Sequence, residues 1–137
     1  MKRNESIRKV MTSNPLSVQV GQSVQEAYKL LLDNDFHHVP VVDGKKLVGI
    51  VTSTDIGRIT YSFDTDSRMT STVLDHTRSL EEIMVTNIKA LSSSATVREA
   101  TEQLSNGSFH ALPVVDDDEL VGIVTSTDLL RYLKEQF

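Results

Sequence analysis

The chain repeats itself. His37 to Ile56 reads HHVPVVDGKKLVGIVTSTDI and His110 to Leu129 reads HALPVVDDDELVGIVTSTDL, an ungapped offset of 73 residues with 14 of 20 positions identical. The register extends upstream through Met11 and Met84, Asn14 and Asn87, Val24-x-Glu26-Ala27 and Val97-x-Glu99-Ala100, and Leu31 and Leu104. Only 7 of the 27 positions from Val10 to Phe36 match, so the duplication is sharpest in its second half. The pattern defines one unit at 7–63 and a second at 80–137, joined by a polar connector at 64–79. A unit of roughly 55 residues is too small to bury both faces of its strands alone, so the copies are expected to pack together.

Each copy reads as β-α-β-β-α. A short extended segment (Leu16–Val18; Ile88–Leu91) leads to Ser23 or Thr96, hydroxyl residues suited to cap a helix start. Beyond them Val24, Ala27, Tyr28 and Leu31, and likewise Val97, Ala100 and Leu104, recur at helical spacing. Two β-branched runs follow, His38–Val42 and Leu47–Thr52, bridged by Asp43-Gly44-Lys45, a hairpin signal. The second copy bridges with Asp116-Asp117-Asp118, and aspartate tolerates left-handed backbone better than most residues. A second helix is expected after Thr52-Ser53-Thr54-Asp55 and Thr125-Ser126-Thr127-Asp128, and a short lead-in helix at Ser6–Met11 and Ser79–Met84. The expected class is α/β (α+β), with two repeats related by a pseudo-two-fold axis and two equivalent clefts. Ligands of α/β folds gather at strand-to-helix junctions.

Composition narrows the function. The 137 residues are 39% hydrophobic and 24% charged, ordinary for a globular protein and not for a disordered or fibrous one. No run approaches the ~20 apolar residues of a membrane helix, and Met1–Glu5 has no apolar stretch behind it. A cytoplasmic protein without a membrane partner is expected. The absence of cysteine removes disulfides, thiolate metal sites and cysteine nucleophiles together. A net charge of −5 argues against tracking a nucleic-acid backbone, and 5% aromatic content without tryptophan argues against a stacking platform. Nucleic acid is therefore not an expected partner. There is no Gly-x-Ser-x-Gly elbow, no P-loop and no His-Glu-x-x-His, so no enzyme, metal or required cofactor is expected.

The most specific pattern is Gly49-Ile50-Val51-Thr52-Ser53-Thr54-Asp55, repeated as Gly122-Ile123-Val124-Thr125-Ser126-Thr127-Asp128. It ends a strand in hydroxyls and a carboxylate at a helix N-terminus, where free N–H groups and the helix dipole favour an anion. The carboxylate repels phosphate but accepts hydrogen bonds from a vicinal diol, as acidic residues do with ribose. Thr and Asp are also good caps, and a strand-to-helix turn needs one. Both roles fit one corner.

These motifs resemble the CBS-domain pair, or Bateman module. The likeness runs from about Ile7 to Leu133, through Ser23-Val24-x-Glu26-Ala27, His38-Val39-Pro40-Val41-Val42-Asp43 and Leu47-Val48-Gly49-Ile50-Val51-Thr52-x-x-Asp55, each with its partner in the second copy. The resemblance implies that Asp55 and Asp128 hold ribose hydroxyls, and that Thr52, Thr54, Thr125 and Thr127 contact ribose or phosphate. Ile50 and Ile123 would pack on the adenine. Each site would borrow from the first strand of the opposite repeat, placing Thr12, Asn14 and Leu16 opposite Asp128, and Val85, Asn87 and Lys89 opposite Asp55. Val85 stands where copy one has Thr12, so the sites need not match in affinity. The implied ligand is an adenine nucleotide or related adenosyl compound (AMP, ADP, ATP or S-adenosylmethionine), bound for regulation.

His37 and His110 precede the strand prolines by three residues, where the resemblance implies a phosphate-facing position. A protonated imidazole there would hold phosphate more tightly and release it as pH rises. The alternative is a histidine at the rim of a strand. His38 is matched by Ala111, and His76 lies in the connector. Arg58 and Arg131 fall three residues after each aspartate, able to reach a phosphate or to pair with Asp55 and Asp128. Pro40 and Pro113 sit inside apparent strands, which marks an edge or an irregularity. Asp116–Glu119 reads as a solvated hairpin tip rather than a metal site.

Two functions compete: an adenine-nucleotide sensor, and a ligand-free dimerisation or partner-interaction module of the same fold. The resemblance further implies a homodimer through helices. The last helix reaches almost to Phe137 and the first lead-in begins close to Met1, so no effector domain is expected within these residues, and any effector protein is unknown.

Overall fold

A computed structural model describes residues 4–34, 37–61, 79–107 and 110–137, with the backbone alone at 58–61. In chain order these form β1 (Thr12–Ser13), β2 (Val18–Gln19), α1 (Val24–Asn34), β3 (His38–Asp43), β4 (Lys46–Thr52) and α2 (Ser53–Tyr61). There follow α3 (Leu80–Ile83), β5 (Leu91–Ser92), α4 (Val97–Ser105), β6 (Ala111–Asp116), β7 (Glu119–Thr125) and α5 (Ser126–Glu135). A 3₁₀ turn at Ile7–Lys9 precedes β1. The fold is α+β, and both copies contain the β-α-β-β-α order read from sequence; the first adds the unexpected two-residue strand β1 ahead of it. Most of the connector, and His76 within it, lies outside the described residues.

The helices open at the expected hydroxyls. Ser23 Oγ accepts the Glu26 N–H at 3.1 Å, and Thr96 Oγ1 accepts that of Glu99 at 3.2 Å. Each cap satisfies a donor with no intrahelical partner. Val24, Ala27 and Leu31 are buried on α1, and Val97, Ala100 and Leu104 on α4.

The hairpins β3–β4 and β6–β7 share one register. His38 pairs with Thr52 and Ala111 with Thr125, and both ladders shift immediately after the valine opposite glycine, Val41 or Val114. Val41 faces Gly49 but Val42 faces Leu47, which leaves Val48 as the extra residue of a bulge; Val121 is its counterpart. The turns differ. Gly44 alone has positive φ, 64°, in the first, whereas Asp117 and Asp118 stand at 49° and 67° in the second. Two positive central residues give the I′ geometry that suits strand twist. The strand prolines cause no conflict: β2 pairs only with Val41 and Val42, so Pro40 lies beyond its reach.

The chain folds into two compact units, Leu16–Ile88 and Met1–Pro15 with Lys89–Phe137. They are offset from the sequence repeats by their lead-ins. Leu80, 0% exposed, joins the core of Val18, Val24, Ala27, Leu31, Val39, Val41, Val51 and Ile56. Ile7, also 0% exposed, joins the core of Leu91, Ala100, Leu104, Leu112, Val114 and Val124. The short helical lead-ins exist as expected, but each completes the core of the copy it does not precede. Burying one Ile or Leu side chain is worth about 1.5–3 kcal/mol, enough to fix such short segments. Backbone bonds reinforce the docking of the first, with Ile7 N–H on Ala95 O at 3.0 Å and Val97 N–H on Glu5 O at 2.8 Å.

Candidate functional site

Each unit holds one strand-to-helix corner. In the unit Leu16–Ile88, β4 ends at Thr52 and α2 begins at once. Thr52 Oγ1 accepts the Asp55 N–H at 3.1 Å, while Asp55 Oδ2 accepts the Thr52 N–H at 3.1 Å and its hydroxyl at 2.8 Å. The second corner repeats this reciprocal cap: Thr125 Oγ1 takes the Asp128 N–H at 3.2 Å, and Asp128 Oδ2 takes the Thr125 N–H at 2.9 Å and its hydroxyl at 3.1 Å. The capping role of the motif is therefore real in both copies. It occupies one carboxylate oxygen and leaves Oδ1 outside the cap.

At Asp128 that second oxygen accepts from Arg131 Nη1 at 3.3 Å, across one helical turn. The intrahelical pair is the arrangement adopted here, with the carboxylate side chain 10% and the guanidinium 64% exposed. A buried carboxylate that accepts three hydrogen bonds, two on Oδ2 and one on Oδ1, has both oxygens satisfied. The side chain of Arg58 lies outside the described residues. Asp55 is half-buried, Thr52 and Thr125 are half-buried, and Thr54 and Thr127 are exposed in the first helical turn. His37 and His110 are exposed, and their carbonyls accept the first helical N–H groups, Ser53 at 3.0 Å and Ser126 at 3.2 Å. Both imidazoles thus belong to the chain segment that meets the helix start.

The lead-ins bring the remaining residues. Val85 exchanges two bonds with Ile50, N–H to Val85 O at 3.0 Å and Val85 N–H to Ile50 O at 2.8 Å, five residues before Asp55. Thr12 pairs with Ile123 and Ser13 with Gly122, antiparallel, five residues before Asp128. Ile50 is buried and Ile123 half-buried. Asn14 is exposed with φ 49°, and its N–H donates to the carbonyl of the bulged Val121 at 3.1 Å. Asn87, exposed, follows Val85 by two residues within the same unit. Thr12 and Asn14 thus share a unit with Asp128, and Val85 and Asn87 share one with Asp55. Leu16 and Lys89, both exposed, do not share a unit with the aspartate assigned to them. The close packing of Met84 on Gly49 and of Met11 on Gly122 had no counterpart in the motif reading. Both pairs keep the 73-residue offset, a signal that was present but does not say which copy meets which.

Among the described residues no three acidic or histidine side chains gather as a metal site, and no helix is long and apolar enough to cross a membrane.

The model of the CBS domain matches residues 7–59 and 80–135, and the chain belongs to that family. It is similar to a CBS domain pair, that of protein MJ0100, solved in complex with 5′-methylthioadenosine and S-adenosyl-L-methionine. The two share 28% identity and a TM-score of 0.76, over 98% of this chain and 99% of that one. The CBS-pair protein CBSX2 from Arabidopsis thaliana has the same fold, with a TM-score of 0.82 at 24% identity over 97% and 96% of the two chains. A homoserine O-acetyltransferase of Methanocorpusculum labreanum is 33% identical over 126 residues, 90% of this chain. The chain spans about a quarter of the length of the first curated relatives it matches.

Proposed function

We propose that the chain is a non-catalytic sensor in which each corner grips the adenosine part of an adenine nucleotide or adenosyl compound. The observation that carries this reading is the carboxylate geometry. Oδ2 of Asp55 and Asp128 is committed to the cap, which fixes the side chain, while Oδ1 remains outside it. A fixed acceptor beside a strand is what a ribose diol needs. Ile50 and Ile123 supply apolar surface on that strand for the purine, and Val85 or Thr12 adds the opposing side. Ligand binding at Asp128 requires the Arg131 pair to open or to swing onto the ligand. Thr54, Thr127, His37 and His110 at the helix start favour a phosphate tail. The complex of the MJ0100 pair with two adenosyl compounds supports the same ligand class.

Titration calorimetry with AMP, ADP, ATP and S-adenosylmethionine tests this. Asp55→Asn and Asp128→Asn retain a cap acceptor and are each expected to remove one class of sites while the protein stays folded. A double variant with wild-type stoichiometry overturns the assignment. A ligand at 100 times its Kd stabilises the fold by about 2.7 kcal/mol, readable as a rise in Tm.

A second reading, a dimerisation module, is favoured by Leu32 on α1 and Leu130 on α5, which are 62% and 65% exposed. Large apolar side chains on helix surfaces suit helix-mediated pairing of two copies. Sedimentation at high concentration is expected to show a species above 15.2 kDa. A 15.2 kDa species alone counts against pairing.

A further inference from the structure

We propose that Met84 on Gly49, and Met11 on Gly122, act as latches that hold the ligand-facing lead-in residues against the carboxylate strands. The inference rests on the adenosyl-binding reading for its consequence, though not for its geometry. A Cβ at Gly49 would overlap Met84 Sδ and stand 2.8 Å from its Cγ and 3.2 Å from its Cβ. At Gly122 it would meet Met11 Sδ at 2.5 Å and both Cε and Cγ at 3.1 Å. Glycine weakens a strand interior, and close approach of another segment is one of the few physical reasons to keep it there. Here the approaching segment is the methionine side chain, twice.

The residue after each methionine is the one that faces the site. Met84 is followed by Val85, bonded to Ile50, and Met11 by Thr12, paired with Ile123. Upstream, Leu80 and Ile7 anchor the lead-ins in the two cores, and Met84 and Met11 pack against those same cores. Each lead-in is thus held at two points, with the site-facing residue immediately beyond the second. The flanking sequences, Arg8-Lys9-Val10 and Glu81-Glu82-Ile83, differ in charge and turn type, so the two latches are separate instances of one arrangement. Gly49 and Gly122 are then positioning residues: a side chain there ejects the methionine, which is flexible enough to move without unfolding the strand. The lead-in loosens, and the ligand loses one wall.

The test is Gly49→Ala in the full chain, read by amide hydrogen exchange and by AMP binding in a D128N background that leaves only the Asp55 corner. Exchange within residues 79–88 is expected to quicken, and AMP affinity to fall, by about tenfold each, the lower range of what overpacking costs. Residues 5–13 should be unaffected. In G49A/M84A the shortened side chain makes room for the new Cβ, and protection of Val85 should recover to within about threefold of wild type. Unchanged exchange in G49A, or equal loosening of both lead-ins, overturns the latch. If G49A does not fold, M84A alone is read the same way, and wild-type protection in it is equally fatal. If the parent protein binds no AMP or S-adenosylmethionine, the ligand reading fails while the exchange data still decide the latch.

Discussion

The corners Thr52–Asp55 and Thr125–Asp128 close with the same three hydrogen bonds at nearly the same lengths, whereas the lead-ins that reach them differ. One lead-in turns through a three-residue 3₁₀ segment carrying Arg8 and Lys9, the other through a four-residue helix carrying Glu81 and Glu82. Asn14 takes left-handed backbone and bonds to Val121, ahead of Pro15; Asn87 is not among the positive-φ residues and is followed by Ile88. A corner is built from bonds between residues three apart, so an identical tetrapeptide reproduces it. A lead-in is held by contacts with residues far along the chain, and what must match is an anchor, a methionine and a backbone pairing. The rest of its sequence was free to diverge.

That contrast is breakable by experiment, beginning with the anchors. Leu80→Ala and Ile7→Ala are each expected to cost about 2–5 kcal/mol in urea unfolding, as cavities in close-packed cores do. Local exchange should sharpen the result: Leu80→Ala loosens the core containing Val39 and Val51, and Ile7→Ala the core containing Leu112 and Val124. If each substitution loosened its own sequence repeat instead, the crossed lead-ins would be wrong. Next come the caps. Thr52→Ala and Thr125→Ala should each destabilise by about 1 kcal/mol, with values alike because the bonds are alike. Unequal losses would show that the corners are not equivalent in solution.

The ligand contrast is smaller. Thr12 can offer a hydroxyl where Val85 cannot, and one net hydrogen bond is worth about 0.5–1.5 kcal/mol. Thr12→Val is therefore expected to weaken the Asp128 site by roughly two- to tenfold, bringing the two affinities together in calorimetry. The least effect belongs to the hairpin tip. Asp118→Gly relieves a left-handed aspartate and is expected to change stability by well under about 1 kcal/mol, whereas Gly44→Ala, which creates such strain, should cost about 1 kcal/mol. Chemical denaturation of the pair distinguishes turn geometry from turn charge.

Much of this fold is legible in the sequence, because near neighbours along the chain encode it. The caps at Ser23 and Thr96, the buried faces of α1 and α4 and both hairpins follow from side-chain spacing over a few residues. The prolines were legible only as a puzzle, because whether Pro40 disturbs a sheet depends on how far β2 extends beside it. At the corners, the motif admitted a cap and a ribose grip together. Which oxygen serves the cap, Oδ2, and that Arg131 takes the other oxygen of Asp128 are set by the fold.

The sequence by itself determined the duplication, the secondary structure of each copy and the chemistry placed at each corner, since all three are encoded in contacts between near neighbours. The tertiary structure alone decided which lead-in completes which core, that Met84 and Met11 close on Gly49 and Gly122, and that Leu16 and Lys89 fall in the other unit from their aspartates. Those outcomes depend on where distant segments meet. Two copies with one pattern present identical local signals whether a lead-in docks at home or away, and the burial of Ile7 and Leu80 together with the backbone pairings of Thr12 and Val85 breaks that tie.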